Sequence, residues 1–164
     1  MSRVNFPVIG LAIVAAIIGA ALYLNRGSHV VLRGEIKKVR LHPIDDNNSV
    51  AIVDFRFENP ANYPFVVRTV QLFLENGKEP VEGFVVADVD AKRLFEAVPD
   101  LGPKYNDSLK VRDRIAAKSS DDRMVAARFE VGAGELQKRK TFRLRVEDVD
   151  GAVSELTEAN APAN

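Results

Sequence analysis

The residues of this chain best equipped for chemistry are its two histidines, His29 and His42. Imidazoles bind transition metals and exchange protons near neutral pH. They bracket one alternating apolar stretch, so a shared metal would need the ends of that stretch to meet. No carboxylate stands at ligand spacing on the same element, and two exposed strand-end histidines are expected. Two oxygen-rich runs, Asp45-Asp46-Asn47-Asn48 and Asp148-Val149-Asp150-Gly151, carry groups that suit Ca²⁺. Neither has the spacing and distal glutamate of a calcium loop, so both read as turns. Ser28, Ser49, Ser108, Ser119, Ser120 and Ser154 lack a nucleophile-elbow or Ser-x-x-Lys context. No phosphate loop or dinucleotide fingerprint is present. Lys138-Arg139-Lys140 with Arg143 and Arg145 forms a basic streak that could touch anionic head groups or a partner. Interleaved acids such as Glu135 and Glu147 make a solvated face the simpler reading. No catalytic, cofactor-binding or metal-ligating residue is therefore expected, and no enzyme activity or cofactor.

Composition narrows the field further. Lys plus Arg and Asp plus Glu are equal at 23 each, which gives no net field toward nucleic acid. Cysteine and tryptophan are absent. Disulfides, thiolate metal sites and a cysteine nucleophile are excluded, and a sugar-stacking indole platform with them. The 164 residues suit one domain with one core.

The elements that must position any site are organised around Ser49 to Glu75. Ala51, Val53, Phe55 and Phe57 share one phase, opposed by Asp54, Arg56 and Glu58. After an Asn- and Pro-rich turn, Val70, Leu72 and Leu74 share a phase, opposed by Thr69, Gln71 and Glu75. A period of two predicts strands with one dry and one wet face. His29 to Leu41 reads as a first strand whose phase changes near Lys37-Lys38, the mark of a bulge. Asn76-Gly77 predicts a turn and Val81 to Ala87 a strand. Ala91, Leu94, Phe95 and Val98 then fall at helical spacing, with Asp90 as N-cap and Pro99 as stop, predicting a short helix over one end of the core. Ser108 to Ala117 reads as a charged edge strand. Ser119 to Asp122 reads as a turn, and Arg123 to Val131 as a strand. Gly132 to Arg139 is a loop or single helical turn. Thr141 to Val149 and Ala152 to Leu156 complete the strands around an Asp150-Gly151 turn. Strands separated by turns, with one short helix, predict a mainly β, antiparallel sandwich.

Phe6 to Leu24 contains no charge. At about 1.5 Å per residue it is long enough for a ~30 Å hydrocarbon core. The preferred reading is an uncleaved transmembrane helix. A secretory signal cleaved near Ile18-Gly19-Ala20 or Gly19-Ala20-Ala21 is the competing one. The expected organisation is a tail at 1–5, a transmembrane helix at 6–24, a linker at 25–28, the β domain at 29–156 and a disordered tail at 157–164. Positive charges counted at Arg26, Arg33, Lys37 and Lys38 favour a cytoplasmic domain. Those charges belong to a long folded domain, however, and such domains cross largely regardless of charge, so an extracytoplasmic domain is expected.

The run V-D-F-R-F-E-N-P-A-N-Y-P-F-V-V-R-T-V-Q-L-F-L-E, with Asn59-Pro60 at its turn, resembles the water-stress-and-hypersensitive-response (WHy) domains of group-two late-embryogenesis-abundant proteins. The resemblance implies an immunoglobulin- or fibronectin-like sandwich behind one membrane helix, with no catalytic residues to transfer. The expected function is a non-catalytic binding or structural module of the cell envelope. Its partners would be the lipid bilayer through residues 6–24 and an envelope protein, the latter by strand addition along Ser108 to Ala117. A stress-protective envelope protein is one alternative. A ligand carrier or enzyme with a dispersed site is the other.

Overall fold

The computed structural model describes residue 10, residues 14–20 and residues 31–158. The last block is built on nine strands: β1 (Arg33–Pro43), β2 (Ser49–Glu58), β3 (Phe65–Glu75), β4 (Val81–Val85), β5 (Asp107–Ser108), β6 (Arg114–Ile115), β7 (Ser120–Phe129), β8 (Thr141–Asp148) and β9 (Val153–Thr157). Helix α1 (Asp88–Ala97), a 3-10 turn (Pro99–Leu101) and helix α2 (Ala133–Gln137) complete it. The hydrogen-bonded order is β1-β2-β7-β4-β3-β8-β9, antiparallel at every step. β9 returns beside β1, where Ile36 bridges Glu158 and the Leu32 N–H donates to Ser154 Oγ at 2.8 Å.

The result is one antiparallel sheet curled into a nearly closed barrel. The mainly β, antiparallel expectation holds. The two expected layers are joined through β4, whose first half pairs with β3 (Leu72↔Gly83) and whose second half pairs with β7 (Val85↔Ala127). Gly83 allows this crossing, since a Cβ there would meet the Phe129 ring at 2.6 Å. The register also sorts the loops into two rims. The chain arriving at residue 31, the turn at 59–64, the loop following β6 and the turn at 149–152 form a lower rim. The turns at 44–48 and 76–80 and the α2 connection form the upper rim.

The alternating residues fill the barrel as their spacing requires. Ala51, Val53, Phe55, Phe57, Leu72, Leu74, Val125, Ala127, Phe129, Phe142, Leu144 and Val146 share one core. The predicted bulge is present, as a register shift between Ile36 and Lys38. At the β2–β3 turn, the buried Asn59 donates Nδ2 to the carbonyls of Tyr63 (2.9 Å), Ile115 (3.3 Å) and Ala116 (3.1 Å), and accepts from the Ala61 N–H (3.0 Å). One side chain thus closes the Asn-Pro turn and pins it to the neighbouring loop.

Five local expectations are corrected. The outward face of β2 is wet only at its end: Ile52 and Asp54 are buried. The cause is α1, which lies on the outside of the barrel and packs Ala91, Leu94 and Phe95 against Ile52, Met124 and Ala126 instead of covering one end of the core. The N-cap of α1 is Ala87, not Asp90. Ser108–Ala117 is not one edge strand. Asp107–Ser108 pairs in parallel with β7, while Arg114–Ile115 pairs with β3, so the segment crosses between the two halves of the sheet. Ser120 to Asp122 belong to β7 rather than to a turn, because Glu58, Phe57 and Arg56 give them partners.

Residues 14–20 are helical and exposed. Among the described residues no helix is long and apolar enough to cross a membrane. Most of the span expected over 6–24, and the linker at 25–28, lie outside the described residues.

Candidate functional site

Along the outside of β2 the side chains run from apolar to charged. Ile52 lies under α1, Asp54 lies at the margin of that helix, and Arg56 reaches solvent. Arg40, facing outward from β1, meets Asp54 with Nη2 2.8 Å from Oδ2, and their side chains are only 9% and 7% exposed. A buried charge needs both a counter-charge and hydrogen bonds. Arg40 Nη1 donates to the carbonyls of Leu101 (2.8 Å) and Pro103 (2.9 Å), and Asn106 Nδ2 donates to Asp54 Oδ1 (2.9 Å). The guanidinium also lies 5.0 Å from the Phe95 ring centre and 5.3 Å from that of Tyr105. This cluster clamps the 99–106 segment onto the barrel.

The clamp has an open side. Lys37, Lys38, Asp54, Phe55, Arg56, Tyr105, Asn106 and Asp122 line a cavity of about 420 Å³, within the range of small-molecule sites. The exposed Tyr105 ring forms one wall, with Lys38 Nζ 5.0 Å from its centre. Arg56 closes another wall through a two-pronged pair with Asp122, at 2.8 and 2.5 Å. Arg56 holds the Asp122 carboxyl below its ordinary pKa, chiefly through these hydrogen bonds, and Asp122 raises the guanidinium in return. Lys37, the bulge residue, pairs with Glu35. The lining contains neither histidine nor serine, and both carboxylates are bound to guanidinium groups. Its chemistry is that of holding a polar ligand between a cation, an aromatic face and an amide.

The groups singled out from the sequence have other duties. His42 lies half-buried in β1, while His29 lies outside the described residues. Asp45 Oδ1 accepts from the Asn47 and Asn48 N–H groups at 2.8 and 2.7 Å, a turn-closing role, and its carboxyl is held below the usual range, first by the Asn48 side chain. Asp148 is buried and accepts from the Val66 and Val149 N–H groups at 2.9 and 2.7 Å. Among the described residues no group of three His, Asp or Glu side chains could hold a metal. The basic streak is divided by its partners. Arg139 is buried against Glu158 at 2.6 Å, and Arg143 binds Glu75 and Glu155 at 2.6 and 2.7 Å.

No family model, curated protein or solved structure matches this chain.

Arg40, Lys38, Tyr105 and Asn106 went unread in the sequence. One signal was available: an amphipathic helix at Asp88–Ala97 needs an apolar surface, and Ile52, Met124 and Ala126 offer one in outward phase on adjacent strands.

Proposed function

We propose that the chain is a membrane-anchored, non-catalytic module of the cell envelope, with an immunoglobulin- or fibronectin-like domain that binds a polar ligand or partner group at the Tyr105–Lys38 pocket. Supporting this is the preorganised cavity beside the Arg40–Asp54 clamp, whose charged groups are committed to positioning rather than to proton transfer. The domain stands on the extracytoplasmic side, tethered by residues 6–24. A photo-crosslinking residue at Tyr105 in living cells should capture one defined species, and the same residue at Glu79 on the upper rim should not. Equal labelling at both positions, or none at Tyr105, refutes the pocket. A reporter fused after Asn164 should be active outside the cytoplasm, and cytoplasmic activity reverses the orientation.

A second reading is envelope protection during water loss, favoured by the Asn59-Pro60 turn that carries the WHy-domain resemblance. It requires that a deletion strain survive drying less well than its parent.

A further inference from the structure

The charges around the pocket beside the clamp fall into pairs with one left over. Arg40 meets Asp54, Arg56 meets Asp122 and Lys37 meets Glu35. The acids next in the chain to lining residues are held in the same way, Asp107 by Lys104 and Asp121 by Arg123. Lys38 is exposed and takes part in no ion pair among the described residues. Asp54 stands opposite it across the β1–β2 ladder, but that carboxylate is committed: Arg40 takes Oδ2 at 2.8 Å and Asn106 takes Oδ1 at 2.9 Å.

The leftover charge stands against an aromatic ring. Lys38 Nζ lies 5.0 Å from the centre of Tyr105, and the Arg40 guanidinium lies 5.3 Å from it. The ring attracts both cations, but only Arg40 has a carboxylate as well. Tyr105 is 61% exposed, so it still offers ring surface to a ligand. The neighbouring wall carries the planar Arg56 guanidinium, fixed by its two-pronged bond to Asp122.

We infer that this pocket takes a carboxylate carried on a flat ring, with the carboxylate on Lys38 and the ring against Tyr105. This rests on the reading of the cavity as a binding site. A single negative charge fits the local balance, because it gives Lys38 the partner it lacks. A second would face Asp54 and Asp122, whose cations are already engaged. A cationic ligand would meet Lys38 and find no uncommitted carboxylate in the lining. The volume of about 420 Å³ admits a fused-ring acid.

The absence of tryptophan provides the readout, since an indole probe then fluoresces against a protein with no indole of its own. Indole-3-carboxylate, neutral indole-3-carboxamide and cationic tryptamine are titrated by fluorescence anisotropy. The protein is the full-length chain in phosphatidylcholine nanodiscs, with empty nanodiscs subtracted. The carboxylate should bind about tenfold more tightly than the amide, and tryptamine more weakly than either. Lys38→Met should abolish that preference while amide binding persists, which also shows that the variant is folded. Lys38→Arg should keep the preference, Tyr105→Ala should weaken carboxylate and amide alike, and Lys78→Met on the upper rim should change neither. Amide or tryptamine binding as tight as that of the carboxylate, still weakened by Tyr105→Ala, overturns the anionic ligand and leaves the pocket standing. A carboxylate preference that survives Lys38→Met overturns Lys38 as its source. Binding that ignores Tyr105→Ala, or no binding by any probe, overturns the flat-ring ligand, while the Tyr105 crosslink still tests the pocket by itself.

Discussion

Arg40 and Asp54 form an ion pair on the outside of the barrel, 2.8 Å apart and shielded by α1 and the 99–106 segment. Removing one member strands the other charge. Asp54→Ala should cost about 3–5 kcal/mol, and Arg40→Met should be comparably damaging. The double variant Arg40→Met/Asp54→Leu should recover most of that loss. Urea unfolding of the four proteins gives the coupling directly, and additive single losses would show that the pair does not act as a unit.

Asn59 binds both its own turn and the loop at 115–116. Asn59→Ala removes this donor from the Tyr63 and Ile115 carbonyls, while Ala116 keeps Ser119 Oγ at 2.7 Å, a cost on the order of 2–3 kcal/mol. Asn59→Asp should do no better, since it presents acceptors to acceptors. Hydrogen exchange should rise in residues 114–119 before it rises in β7. Uniform acceleration instead would mean that the turn is not the local clamp.

Gly83 faces the Phe129 ring, which also packs on Phe142 with centroids 5.6 Å apart. Gly83→Ala should destabilise by about 1–3 kcal/mol through overpacking. Phe129→Leu, itself destabilising, should cost less in the Gly83→Ala background than in the parent. Thermal or urea unfolding of this cycle measures the relief, and a coupling of zero would place the strain elsewhere.

Three carboxyls are held below the ordinary aspartate range: Asp122 by Arg56, Asp88 first by the Ser108 hydroxyl and then by Lys104 and Lys92, and Asp45 by the Asn48 side chain. Ser108 Oγ makes no well-formed hydrogen bond, so Asp88 feels it as a nearby hydroxyl dipole. A folded-state pKa below the unfolded one contributes stability above the unfolded value, and that contribution is lost as pH falls through the folded value. Stability should therefore hold from neutrality down to about pH 4 and decline below it. Asp122→Asn should flatten part of that acid limb. Unfolding midpoints taken from pH 7 to pH 3 supply the check, and a midpoint that rises on acidification would contradict the sign.

The local features of this protein were legible because their causes are local. A period of two in Ser49–Glu58 and Phe65–Glu75 follows from the pleat of the backbone. The phase change at Lys37 follows from inserting one residue into that pattern, and both are present in the barrel. The Asn59-Pro60 turn was legible for the same reason. Ser108–Ala117 was misread because two-residue pairings at Asp107–Ser108 and Arg114–Ile115 are too short to show a period, and their partners lie on different strands.

Sequence alone determined the charge balance, the apolar run at 6–24, the strand phases and the absence of cysteine chemistry. Tertiary structure decided which outward faces became dry, because α1 could bury its apolar side only by covering Ile52 and Met124. That docking drew the 99–106 segment over Arg40 and Asp54 and stood Tyr105 beside Lys38. The curl of the sheet also brings turns distant along the chain to one rim, where Val31, Tyr63 and Val149 stand exposed.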